Sequence, residues 1–334
     1  MKRAAALASL ALLAAAGACE HAQPFVAAVE PDVPFDTTFP RRLTFSPSGD
    51  VEPAWLPDGS AIVYALSPGG PNGDQCLGIL PAEGGHLQSM ICHRLFDADS
   101  TVLLRDPAVG PGGLLAYLRE SSAAGALVPT AIELVVASMT APDPGRVLLR
   151  FPFTSADGVL HGSLAGLHWL PDGELVYVAQ QVTFTGPPLA VDTVYAPLRI
   201  ERLAMVGDSA VVTAVPGTAN ATSLAVDTSG VLYFTLAGDS RVYRMDPGAA
   251  SPSVWFDFGG AGAADGVQVH GNLLVALAGG TLFRVDVAAD TVTAIAVPGS
   301  LSLSRPALSP SGSRVVAEAA GPGEFPDLWL FQVP

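Results

Sequence analysis

Three features of the sequence predict an all-β chain folded as a six-bladed β-propeller of four-stranded blades, its ring closed by an N-terminal strand. The first is Pro53-Ala54-Trp55-Leu56-Pro57-Asp58-Gly59 running into Ser60-Ala61-Ile62-Val63-Tyr64, which reads as strand, tight turn, strand. The second is that this hairpin recurs along the chain, and self-similarity at a period of a few tens of residues marks an array. The third is that the apolar runs do not alternate, as in Leu274-Val275-Ala276-Leu277. Such strands are buried on both faces, and blades stacked around an axis bury both faces of their inner strands.

Taken in order, the chain opens on an export leader. Lys2 and Arg3 form its positive end and Ala4 to Ala16 its apolar run, which is shorter than the ~20 residues that span a bilayer. Ala16-Gly17-Ala18-Cys19 ends it, and small residues before a cysteine resemble a bacterial lipobox, so Cys19 is expected to carry lipid. Plain secretion with an incidental cysteine is the alternative. The leader then covers residues 1–18, and residues 19–40, with four prolines and no sustained period, read as a tether. The propeller occupies residues 41–334.

Further copies of the hairpin begin at Pro107, Leu167, Leu224, Val267 and Pro306, so there are six. A third apolar run follows each: Cys76 to Leu80, Ile132 to Met139, Leu198 to Met205, Arg241 to Met245, Thr281 to Val285 and Leu328 to Val333. A fourth run follows in the first five units, Arg146 to Phe151 and Ala210 to Val215 among them. The sixth unit lacks one, and Leu43-Thr44-Phe45 stands ahead of the first unit to complete it. An open ring would leave unpaired blade faces and edges.

The Pro53 to Tyr64 run resembles the repeat of TolB-type, WD40-like propellers, most closely in the first, third and sixth units. The fourth unit, with Arg241-Val242-Tyr243-Arg244-Met245-Asp246, is also similar to NHL and lactonase-type repeats. TolB-type proteins carry an α/β domain ahead of the propeller, for which this chain has no room. The lactonase-type resemblance implies a metal near the axis held by carboxylates and an Asn, for which Asp227, Asp265 and His168 are the conceivable pieces.

Read without the resemblance, the residues offer little catalysis. Cys76 and Cys92 fall on neighbouring strands of one hairpin and are expected to form a disulfide in an oxidising compartment. None of the six histidines forms a metal-binding pair at helical spacing, and no nucleophile elbow, P-loop or dinucleotide glycine motif occurs. His168 replaces the alanine of the first unit on an innermost strand, which puts it at a channel-side position, with a core or water-linked histidine as the commoner case. Asp97 and Asp99 have the short spacing of a Ca²⁺ loop without the rest of its pattern. Asp58 and Asp172 are turn formers. No cofactor and no metal is expected.

The formal charge is −15, and loss of Lys2 (the only lysine) and Arg3 with the leader takes it to −17. That disfavours nucleic acid and electrostatic docking on anionic lipid. The expected function is a non-enzymatic protein- or glycan-binding or scaffold module of the bacterial cell envelope. It is expected to be monomeric and lipid-anchored, with the outer membrane the favoured site and the periplasm or cell surface the space it faces. The alternative is an envelope enzyme, a lactonase-like hydrolase or polysaccharide lyase with a metal near the channel. Long loops between second and third strands in blades one, two, three and six, against short ones in four and five, imply a lopsided binding wall. Its candidate residues are Leu127, Val128, Phe184, Leu189 and Phe325, with His168 beneath.

Overall fold

The computed structural model describes residues 38–66, 73–93, 99–123, 130–152, 159–185 and 192–334. The calls on the leader, Cys19, Asp97, Leu127, Val128 and Leu189 lie outside those residues.

The described chain is six antiparallel sheets, one for each hairpin copy. A short strand β1 (Arg41–Arg42) comes first, and blade one follows with β2 (Asp50–Trp55), β3 (Ala61–Leu66), β4 (Cys76–Pro81) and β5 (Ser89–Ile91). Blade two holds β6 (Ser100–Val109), β7 (Leu114–Ala123), β8 (Ala131–Ser138) and β9 (Ala141–Pro152). Blade three holds β10 (Val159–Trp169), β11 (Leu175–Thr185), a short β12 (Asp192–Tyr195), β13 (Arg199–Val206) and β14 (Ser209–Ala214). Blade four is β15 (Ala221–Val226), β16 (Leu232–Leu236), β17 (Arg241–Met245) and β18 (Ser253–Asp257). Blade five is β19 (Ala264–His270), β20 (Leu273–Ala278), β21 (Thr281–Asp286) and β22 (Thr291–Ala294). Blade six has only β23 (Ser302–Leu308), β24 (Arg314–Ala320) and β25 (Asp327–Gln332) of its own.

Strand β1 supplies the missing fourth, pairing antiparallel with β25 through Arg41 opposite Leu330 and Arg42 opposite Trp329. The ring therefore closes as expected, but the strand sits two residues ahead of Leu43-Thr44-Phe45. The reason is local. Leu43 N–H still donates to the Leu328 carbonyl at 2.7 Å, but at Thr44 the side-chain hydroxyl takes over, accepting the Leu328 N–H at 3.0 Å. Arg42 reaches across to pair with Asp327.

The first strands of successive blades, β2, β6, β10, β15, β19 and β23, contact one another all the way round, so they surround the axis. The second strands carry the unbroken apolar runs because each blade has two neighbours. In β3, Ile62, Tyr64 and Leu66 pack toward blade six while Val63 and Ala65 pack toward blade two. The same holds at every junction, giving six apolar clusters, one in each blade interface. Each fully buried aliphatic side chain in them contributes roughly 1.5–3 kcal/mol. The turn aspartates act locally, Asp58 accepting both the N–H and the hydroxyl of Ser60 and Asp172 the N–H of Glu174. Cys76 and Cys92 are bonded, with Cα atoms 4.6 Å apart.

Two blades are taller than the rest. Strands β6 and β7 are 10 residues long and β10 and β11 are 11, whereas β15, β16, β19 and β20 have 5 to 7. The extra length lies on the face opposite the Pro-Asp-Gly turns, where Ser100 pairs with Ala123 and Val159 with Thr183. Within the spans that read as loops, Ser121–Ala123, Gln181–Thr185 and Asp192–Thr193 are paired strand, β12 pairing back onto β11.

Candidate functional site on the axis

Each innermost strand is broken near its middle, at the same repeat position in five blades and one residue earlier in blade four, where Ser223 itself stays paired with Thr235. Pairing along β2, β6, β10, β15, β19 and β23 skips at a β-bulge, between Val51 and Ala54, Arg105 and Ala108, Ala165 and His168, Ala221 and Ser223, Asp265 and Gln268, and Ser304 and Ala307. A bulge re-aims a side chain. Aligned on the hairpin, the repeat position that bulges in the other five blades holds Glu52, Asp106, Gly166, Gly266 and Arg305, with Ser223 at the same position in blade four. Five of the six have positive φ, including Glu52 at 58°, Asp106 at 50° and Arg305 at 44°. A left-handed conformation suits glycine and strains a residue with a Cβ, by about 1–3 kcal/mol. Blades three and five use glycine here; blades six, one and two use charged side chains instead.

Those charged side chains meet. Arg305 Nη1 donates to Glu52 Oε1 at 2.7 Å, and Arg105 donates to the same oxygen from Nη2 at 3.2 Å. Arg105 Nη1 also donates to Glu120 Oε2 at 3.2 Å. Glu318, on the neighbouring β24, accepts the Ser304 hydroxyl at 2.7 Å. Asp106 lies 3.9 Å from Arg305 Nη1. The carboxylates lie deep and the cations lie outside: the Glu52 side chain is 4% exposed, Arg105 35% and Arg305 41%. Burial pushes the Asp106 carboxyl up to about 7, with the nearby Glu52 charge adding to the effect and the Arg305 and Arg105 charges opposing it.

The ring is also tied blade to blade, always from a side chain of one blade to the backbone of the next. Glu318 Oε1 accepts the Glu52 N–H at 2.7 Å, Glu52 Oε2 that of Asp106 at 2.6 Å, and Asp106 Oδ2 that of Leu167 at 3.1 Å. Ser223 Oγ accepts the Val267 N–H at 3.2 Å. Blades three and five have no side chain at the bulge, and both supply the tie from two residues further on. His168 hydrogen-bonds the Leu224 backbone, and Gln268 Oε1 accepts the Leu308 N–H at 3.5 Å. The corresponding residues of the other blades are Ala54, Ala108, Ala225 and Ala307. Burial lowers the His168 pKa to about 4, the Leu224 contact opposing it, so the ring is neutral at neutral pH. Sequence reasoning singled out His168 but missed Glu52, Asp106 and Arg305. A signal was present in Glu52-Pro53, Asp106-Pro107 and Arg305-Pro306, three charged residues each before proline at one repeat position.

The other singled-out residues are dispersed. Phe325 is 62% exposed on the blade-six loop, and Phe184 lies in β11 with its backbone opposite Thr193. Asp227 sits in a turn, accepting the Ser229 hydroxyl at 2.6 Å, while Asp265 accepts the Gly266 N–H beside the bulge, so with His168 they do not converge. Among the described residues no three of His, Cys, Asp or Glu are grouped as a metal would need. His93 Nδ1 is 3.4 Å from Arg119 Nη1. Off the axis, a cleft of about 410 Å³ opens between blades three and four on the turn face, lined by Leu170, Val176, Leu232 and Met245. Its arginine, Arg202, is already paired with Asp172 and Glu174.

No family model matches the chain, and no curated protein sequence matches it. Solved structures do. A gluconolactonase of Xanthomonas campestris, XC5397, is 15% identical with a TM-score of 0.54, covering 88% of this chain and 90% of its own. A calcium-binding regucalcin of Agrobacterium tumefaciens is 15% identical with a TM-score of 0.56, covering 87% and 92%. TolB of Acinetobacter baumannii is 15% identical with a TM-score of 0.49, covering 87% of this chain and 65% of its own. The likeness is one of fold. This chain is a six-bladed β-propeller.

Proposed function

We propose that the protein is a non-enzymatic binding module of the bacterial cell envelope, lipid-anchored through Cys19, that holds a protein or glycan partner against the raised rim of blades two and three. The observation that supports this reading is the rim itself. Strands β6, β7, β10 and β11 rise above the short blades, and β12, paired to β11, carries Val194 and Tyr195, 53% and 64% exposed. Phe325 adds a third exposed apolar side chain on the same face. Apolar groups held out on paired strands lose little entropy when a partner covers them. The test is Tyr195→Ser combined with Phe325→Ser in the full chain, with crosslinking in cells. Loss of a crosslinked partner at unchanged Tm supports the rim, whereas an undiminished crosslink excludes it.

A second reading, a hydrolase acting at the axis, is favoured by Asp106. A strained, buried carboxyl with a pKa near 7 can hold a proton at neutral pH and give it up, as a general acid does. The gluconolactonase among the structural neighbours makes lactones the first substrates to assay. Hydrolysis by the wild type and its loss in Asp106→Asn would establish this reading over the first.

A further inference from the structure

The cleft between blades three and four has a counterpart one junction on, and the counterpart is full. Where blades four and five meet, Tyr233 and Trp255 pack against each other, ring centroids 4.5 Å apart at 55°. The Tyr233 hydroxyl donates to Asp227 Oδ2 at 3.2 Å. Blade three lacks all three groups. Tyr233 lies opposite Arg244 and Val176 opposite Arg202, so the valine stands where blade four has its tyrosine. Trp255 is the extra residue of a bulge in β18, and β14 pairs with β13 without one. Aligned on the hairpin, Leu170 stands in place of Asp227. Space that two aromatic rings fill at one junction is left open at the other, as a cleft of about 410 Å³, within the range of small-ligand sites.

The lining says what chemistry fits. Val176, Val215, Leu232 and Met245 make the interior apolar, and with Leu170 replacing the aspartate no carboxylate waits there for a hydroxyl. Charge stands on the walls. Arg202, on the blade-three side, already gives Nε to Glu174 and Nη2 to Asp172, the second at 2.8 Å, so it has little left for an anion. Its guanidinium face still suits an aromatic ring. Asp246, on the blade-four side, takes Arg244 on Oδ1 at 2.6 Å, and its Oδ2 has no partner among the described residues. Its side chain is 61% exposed. Three carboxylates, Asp172, Glu174 and Asp246, thus stand against two guanidiniums, Arg202 and Arg244. The surplus is negative, and a cation complements it.

We propose that this cleft is a binding site for a small aromatic amine, its ring taking the place that Tyr233 and Trp255 hold one junction on and its ammonium pairing with Asp246. The site lies off the axis and on the face opposite the rim, so it stands or falls independently of both functional readings. The test uses the full chain in detergent, titrated calorimetrically with 1-naphthylmethylamine, 1-naphthalenemethanol and 1-naphthoate, which share a ring system and differ in charge. Val176→Tyr gives blade three the residue of blade four and fills the cleft, and Asp246→Asn removes the charge at an exposed position. The amine should bind the wild type more tightly than the alcohol, and the alcohol more tightly than the carboxylate. Asp246→Asn should weaken the amine by about threefold or more, the scale of an exposed charge pair, and leave the alcohol unchanged. Val176→Tyr should bind none of the three. Should Val176→Tyr fail to fold, Asp246→Asn and the charge series decide. No saturable binding of the amine at about 5 mM, a concentration that covers millimolar affinity, would overturn the proposal. So would the alcohol or carboxylate binding as tightly as the amine, unchanged amine affinity in Asp246→Asn, or amine binding retained in a folded Val176→Tyr.

Discussion

Glu52 is the residue on which most depends. One carboxylate, 4% exposed, accepts from two arginines and from the Asp106 N–H, and its own N–H is held by Glu318. Glu52→Ala leaves two cations and a backbone donor without their acceptor. Removing one partner of a buried ion pair costs about 3–5 kcal/mol, so urea unfolding should show a loss of that order, with Glu52→Gln milder because an amide can still accept the Asp106 N–H. A wild-type midpoint for Glu52→Ala would show that the cluster does not hold the ring. His168 gives a pH signature. Its folded pKa of about 4 lies below the ordinary value of 6.5, so the native state binds fewer protons than the unfolded chain between those values. The stability contributed by the neutral ring is complete above pH 6.5 and is lost as pH falls through 4, by up to about 3 kcal/mol. Asp106, with its raised pKa, runs the other way, its contribution being present below pH 3.8 and lost as pH rises through 7. The difference between wild type and His168→Gln isolates the histidine. A pH-independent difference would remove His168 from the buried tie.

At the scale of elements, β1 shows how little pairing closes a ring. Two paired residues, the Leu43 hydrogen bond, the Thr44 hydroxyl and the Arg42–Asp327 pair join the start of the described chain to its last blade. Leu43 is 4% exposed in the cluster shared by blades one and six, and Phe39 packs against it. A chain truncated to begin at residue 39 should melt close to the full-length protein. One truncated to begin at residue 46 should melt well below it, by 10 °C or more for a loss of about 4 kcal/mol in a domain of this size. Equal melting temperatures for the two would show that β1 contributes nothing to closure.

At the scale of the whole molecule, the ties and clusters join six blades into one closed ring, and the functional proposals concern what stands on its rim, what its axis does and where it is held. Anchoring is tested by fractionation. The wild type should be recovered with membranes and Cys19→Ser in the soluble periplasmic fraction, since a bilayer-embedded acyl chain contributes about 0.8 kcal/mol per buried CH₂. A soluble wild type would mean plain secretion.

The sequence by itself determined the blades. Apolar runs at the third-strand positions, from Cys76 to Leu80 through Leu328 to Val333, became β4, β8, β13, β17, β21 and β25 within a residue or two, because each keeps the buried apolar residues of a short strand, such as Ile200 and Leu203 in β13 or Leu282 and Val285 in β21, even where charged residues stand between them. The disulfide was legible too, since a hairpin fixes which residues face each other. What only the tertiary structure decided was the axis. Glu52, Asp106, Glu318, Arg105 and Arg305 lie on three different blades, and their charges become one cluster only when the ring closes. The same closure explains why His168 and Gln268 stand where the other blades have alanine. Each answers a backbone N–H or carbonyl of the next blade, a partner some forty to sixty residues away in sequence and a hydrogen bond away in space.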